Sequence, residues 1–89
     1  MAFSSEKVAE GQISGLRVQI WTFNAASVTE GIIRTGLGNV RIALHNNDTT
    51  ETEGKVQKNK SAASTVEQGA VFISGLTSND VGEMIVIGN

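Results

Sequence analysis

Eighty-nine residues without a cysteine make one domain that no disulfide can staple, and a single histidine excludes a structural zinc site of Cys and His ligands. Net charge is −2, and the seven basic residues are scattered among one Trp and three Phe, so the basic, aromatic-interleaved face of a nucleic-acid binder is missing. A chain this short buries only about 60–65% of its unfolded surface, which makes oligomerisation an expected source of stability.

Glycine is abundant (10 residues), proline is absent, and β-branched runs alternate with turn signals. That pattern predicts an all-β fold. The first twelve residues, MAFSSEKVAEGQ, hold neither the basic nor the apolar region of a signal peptide, and the apolar runs along the chain are too short for a membrane helix. Neither a membrane nor a nucleic acid is an expected partner.

In chain order, residues 1–14 read as an N-terminal arm or an edge strand, and residues 15–89 as a single β domain. Residues 15–25, GLRVQIWTFNA, alternate with period two, the mark of a strand. Leu16, Val18 and Ile20 share one face; Arg17, Gln19, Trp21 and Phe23 share the other. If the aliphatic face is the core, the aromatics look outward as a contact surface; if the strand twists or bulges, Trp21 is core instead. Residues 31–35 form a short β-branched strand. Residues 39–45 alternate again, with Val40, Ile42 and Leu44 against Arg41, Ala43 and His45, which leaves His45 on the polar face. Residues 55–60, KVQKNK, read as an edge strand whose lysines discourage further pairing. Residues 69–75 are an apolar run short enough for a buried strand. Residues 83–89 end the chain with Met84, Ile85, Val86 and Ile87, apolar on both faces, so a second layer is needed to cover them. Two capping boxes, Ser27 with Glu30 and Ser64 with Glu67, are each followed by glycine within two residues and do not extend into helices. The expected architecture is a small antiparallel β-sandwich or barrel, jelly-roll-like, of six to eight short strands.

A hydroxyl-Gly-Leu tripeptide occurs three times, as Ser14-Gly15-Leu16, Thr35-Gly36-Leu37 and Ser74-Gly75-Leu76. Each sits at a predicted strand boundary. Positive φ at the three glycines and burial of the three leucines are expected.

Reaction chemistry finds little support. Residues 45–53, HNNDTTETE, offer oxygens, yet a loop counted from Asn46 has Glu51 where an EF-hand needs glycine and Gln57 where it needs glutamate. A solvated loop is the simpler reading, and no metal or cofactor is expected. Residues 36–41, GLGNVR, lack the last glycine of a dinucleotide fingerprint and lie between two strands. Asn47 and Asn59 head glycosylation sequons, read as chance matches in polar loops. His45 has no nucleophile or carboxylate beside it in any motif, and the acid pairs Glu51/Glu53 and Asp80/Glu83 lack a cleft to work across. The chain is read as a non-enzyme with no catalytic residues. Its candidate contact residues are Phe3, Trp21, Phe23, Ile85 and Ile87.

The stretches IIRTGLGNVRIALHNNDTT and GAVFISGLTSNDVGEMIVIGN, with a Thr35-Gly36-Leu37 turn, a strand over residues 40–44, a Gly-led strand over 69–74 and a terminal strand over 84–88, resemble small all-β structural proteins of tailed bacteriophages. Capsid decoration, or cement, proteins are the branch that fits the size. The resemblance implies a homo-oligomer, by preference a trimer, that sits on the capsid surface of the virion and holds major capsid proteins together, with residues 1–11 as an arm. Such a protein is assembled into particles in the host cytoplasm. The alternatives are a tail or neck ring or adaptor subunit, and a small carbohydrate- or cell-surface-binding module with Trp21 and Phe23 as its platform.

Overall fold

A computed structural model describes residues 3–48 and 54–89; the acidic residues Glu51 and Glu53 of the expected oxygen-rich loop, and Met1 and Ala2 of the expected arm, lie outside them. Seven strands follow one another: β1 (Ser4–Ile13), β2 (Leu16–Asn24), β3 (Gly31–Arg34), β4 (Val40–Asn47), β5 (Lys55–Ala62), β6 (Thr65–Ser74) and β7 (Val81–Gly88). They form two separate antiparallel sheets, ordered β1-β2-β7-β4 and β3-β6-β5, so the fold is a sandwich.

The first hairpin shows how local chemistry sets register. Ser14 (φ 51°) and Gly15 (φ 81°) are both left-handed, the two-residue turn whose twist matches that of its flanking strands. It places Ile13 opposite Leu16 and fixes the β1–β2 ladder from there. Gly36 and Gly75 also take positive φ, as expected. Leu37 and Leu76 are buried at 4% exposure each, but Leu16 is only half-buried, because it belongs to the outer face of its sheet.

The core lies between the sheets. Ile33, Val71 and Ile73 from the three-stranded sheet meet Phe23, Val40, Met84 and Val86 from the four-stranded one. Burial of each such side chain is worth about 1.5–3 kcal/mol against exposure. β6, between β3 and β5, is buried on both faces from Gly69 to Ile73, as its apolar run predicts.

Two face assignments are corrected. In β2 the core takes Gln19, Trp21 and Phe23, and the aliphatic set Leu16, Val18 and Ile20 faces out. Alternation defines two faces without saying which is inner; the cross-strand partners decide, and Trp21 pairs with Met84 while Ile20 pairs with Ile85. In β4 a bulge at Arg41 breaks the alternation. Val40 is fully buried, but Ile42 and Leu44 end up outside at 47% and 62% exposure, and His45 turns inward. One inserted residue reverses every side chain beyond it.

Asn59 joins the two sheets at the β4–β5 corner. Its backbone is left-handed (φ 57°). Its Oδ1 accepts from the backbone N–H of Val40 (3.0 Å) and of Gly69 (3.1 Å). Its Nδ2 donates to the Val40 carbonyl (3.0 Å) and to Asn39 Oδ1 (2.9 Å). The amide substitutes for a missing strand neighbour, a role that the sequon reading did not foresee.

Candidate interaction surface

The outer face of the four-stranded sheet is built by register. One row runs Leu44, Ile85, Ile20, Ala9 across β4, β7, β2 and β1; the next runs Ile42, Ile87, Val18, Gly11; Leu16 and Ile13 add to the hairpin end. Nothing in the described chain covers this face, and Ile13, Ile42 and Leu44 stand 63%, 47% and 62% exposed. Toward the other end the rows turn polar: Asn46, Glu83, Thr22 and Glu6 are cross-strand neighbours. A shallow open depression of about 510 Å³ lies where the two halves meet, bordered by Ile20, Leu44 and Ile85 on one side and Asn46 and Glu83 on the other.

The inner side of the β1–β2 hairpin has the opposite character. There Glu10 accepts from Lys7 Nζ (2.9 Å), Arg17 Nη2 (3.0 Å) and Gln19 Nε2 (3.0 Å). The Arg17 guanidinium first, and then the Lys7 ammonium, hold its carboxyl down from 4.5 to about 2. Gln19 is fully buried with both amide donors and its oxygen engaged: its Nε2 also donates to the Thr35 carbonyl (3.0 Å), and its Oε1 accepts from Trp21 Nε1 (2.9 Å). The charged network holds the inner side of the edge, while aliphatic side chains face out. Usual amphipathic order is thus reversed across this half of the sheet, since a solvated outer face carries the polar residues.

The expected contact residues divide. Ile85 and Ile87 are on the outer face, half-buried. Phe23 is in the core at 3% exposure, Trp21 packs against it, and Phe3 stacks on Phe23 with ring centroids 6.1 Å apart and covers Gly31. These three aromatics hold the sandwich together and form no outward platform. Ile13, Val18, Ile20, Ile42 and Leu44 were missing from the expected set. The signal that points to them is β7 itself: a central strand with no polar face needs apolar neighbours on both sides.

His45 is half-buried beside Phe23, and its Nε2 accepts from the Gly54 N–H at 3.1 Å, so the lone pair a general base would use is engaged. Among the described residues no three His, Asp or Glu side chains come together as a metal site. Set against family models, curated proteins and solved structures, the chain has no match.

Proposed function

We propose that this chain is a non-enzymatic structural protein of a phage particle, of the capsid decoration type, and that it works by contact through the outer face of its four-stranded sheet. The observation that carries the reading is that face: two rows, aliphatic across β4, β7 and β2 and left without cover by the described residues, on a chain that keeps its charged network on the other side. Strand and row spacings give the apolar area roughly 250 Å² in projection. A stable free pair of proteins buries about 800 Å² per partner. One such face is therefore too small for a tight complex by itself, and suits a subunit held on a shell by many weak contacts. Each buried Å² contributes about 25 cal/mol before the cost of association is deducted. The resemblance of its strand and turn pattern to that of phage structural proteins is the ground for the setting.

The glycan-binding alternative lacks its platform, because Trp21 and Phe23 face inward. Mixing the purified chain with heads that lack it, followed by co-sedimentation and counting of copies, tests the proposal. A copy number matching the shell lattice is expected. Binding confined to one ring would move the protein to the neck or tail. A chain that stays monomeric at micromolar concentration and ignores heads and tails would refute the reading.

A further inference from the structure

Four strands lie at sheet edges, and three of these edges are guarded. The Asn59 side chain occupies the backbone N–H and carbonyl of Val40 on β4, and Lys58 Nζ donates to the Arg41 carbonyl (3.1 Å). β5 carries Lys55, Lys58 and Lys60, and β3 is only four residues long. Lysines, short strands and covered backbone are the usual means of keeping an edge from pairing. β1 differs. It has ten residues, all of them exposed and none a proline, and β2 is its one strand neighbour. At its middle Val8, an apolar side chain in a bulge, stands 52% exposed.

We infer that β1 is a self-association edge, where two copies of this chain pair antiparallel about a twofold axis between Val8 and Ala9 and merge two four-stranded sheets into one. The bulge makes the register specific. Glu6 and Ala9 both belong to the outer face, opposite Thr22 and Ile20, while Lys7 and Glu10 both belong to the inner face, opposite Trp21 and Gln19. A twofold between Val8 and Ala9 sets outer against outer and inner against inner. It also sets Lys7 opposite Glu10 of the partner subunit, and does so twice. Opposite charges across an antiparallel pair favour that register, and a slip by one residue sets inner side chains against outer ones. Val8 then lies opposite Ala9 of the partner subunit, one residue along the strand from the partner's Val8. The pair uses up the longest exposed edge of each copy and is closed by its twofold, so growth stops at a dimer.

This edge is separate from the outer face, so its failure leaves the contact reading standing. It departs from the trimer that the phage resemblance implies. Since the chain has no cysteine, Val8→Cys and Ser5→Cys each introduce a single thiol at an exposed site. In the paired strands the two copies of position 8 come within about 6 Å (Cα–Cα), inside disulfide reach, whereas the copies of position 5 lie about 23 Å apart. Light scattering is expected to give a dimer mass. Mild oxidation is expected to link Val8→Cys at least about tenfold faster than Ser5→Cys, and adding Lys7→Glu, which sets like charges opposite, is expected to slow that linking several-fold. Equal linking rates for the two variants, or a monomer or trimer mass, would overturn the inference. Intact dimers that fail to bind heads would count against the proposed function instead.

Discussion

The outer faces of the two sheets solve the same problem differently. On the three-stranded sheet, Phe72 and Ile32 are cross-strand neighbours that begin an apolar exterior. Gln57 and Lys55 border them on β5, and Arg34 on β3 pairs with Glu67 at 2.9 Å. Phe72 is reduced to 7% exposure. On the four-stranded sheet, Ile42, Leu44, Ile85 and Ile87 have aliphatic neighbours instead, and the cations Lys7 and Arg17 engage Glu10 on the inner side. The chain can give a sheet a polar exterior and does so on one side only. The bare side is a feature of the sequence and not a consequence of small size.

Substitutions on the two sides should behave in opposite ways. The largest effect on folding is expected from Ile73→Ala, which empties a fully buried position; a loss of about 2–5 kcal/mol by urea unfolding is predicted. Asn59→Ala removes four hydrogen bonds from the corner where the sheets join, and leaves the Val40 and Gly69 amides short of a partner. It should cost about 1–3 kcal/mol, and a loss smaller than an exposed surface change would show that water replaces the amide. Ile42→Ser with Leu44→Ser should leave the isolated chain within about 0.5 kcal/mol of the parent, as exposed sites do, while co-sedimentation with heads is lost. A large folding defect in that variant would mean that the outer face is part of the core, and the contrast between the sheets would fail.

The smallest effect concerns acid. Glu10 titrates near 2 in the fold and near 4.5 when released, so its contribution to stability is complete above about pH 4.5 and is lost as pH falls toward 2. Glu10→Gln should lower the urea midpoint at pH 7 and flatten its fall within that window, so that variant and parent converge as pH approaches 2. An unchanged slope would place the acid sensitivity in other carboxylates.

Much of this arrangement is legible in the sequence. Period-two alternation marks β2 and β4, unbroken apolar runs mark β6 and β7, and the Gly36 and Gly75 corners follow from a small residue at a strand boundary. Which face turns inward is not legible, because alternation is symmetric until strands pair. The β4 bulge has no local signature: Arg41 is an ordinary strand residue, yet its insertion moves Ile42 and Leu44 to the surface. Asn59 shows the same limit, since its four partners come from residues ten or more positions away. β6 also begins at Thr65, earlier than its apolar run suggests, because the β5–β6 hairpin carries polar residues into the ladder. The apolar outer face is thus legible only in part, through the two isoleucines of β7.

The central claim is that the apolar outer face of the four-stranded sheet is covered in the working assembly. Leu44→Cys gives that face a single thiol on a cysteine-free chain, at a position 62% exposed. Its rate of alkylation, measured in the isolated chain and again in intact particles, tests the claim directly. The account predicts fast labelling in the free chain and strong protection in the particle, with Ser64→Cys on the β5–β6 turn as the reference for a site outside that face. Equal labelling of Leu44→Cys in both states would contradict it.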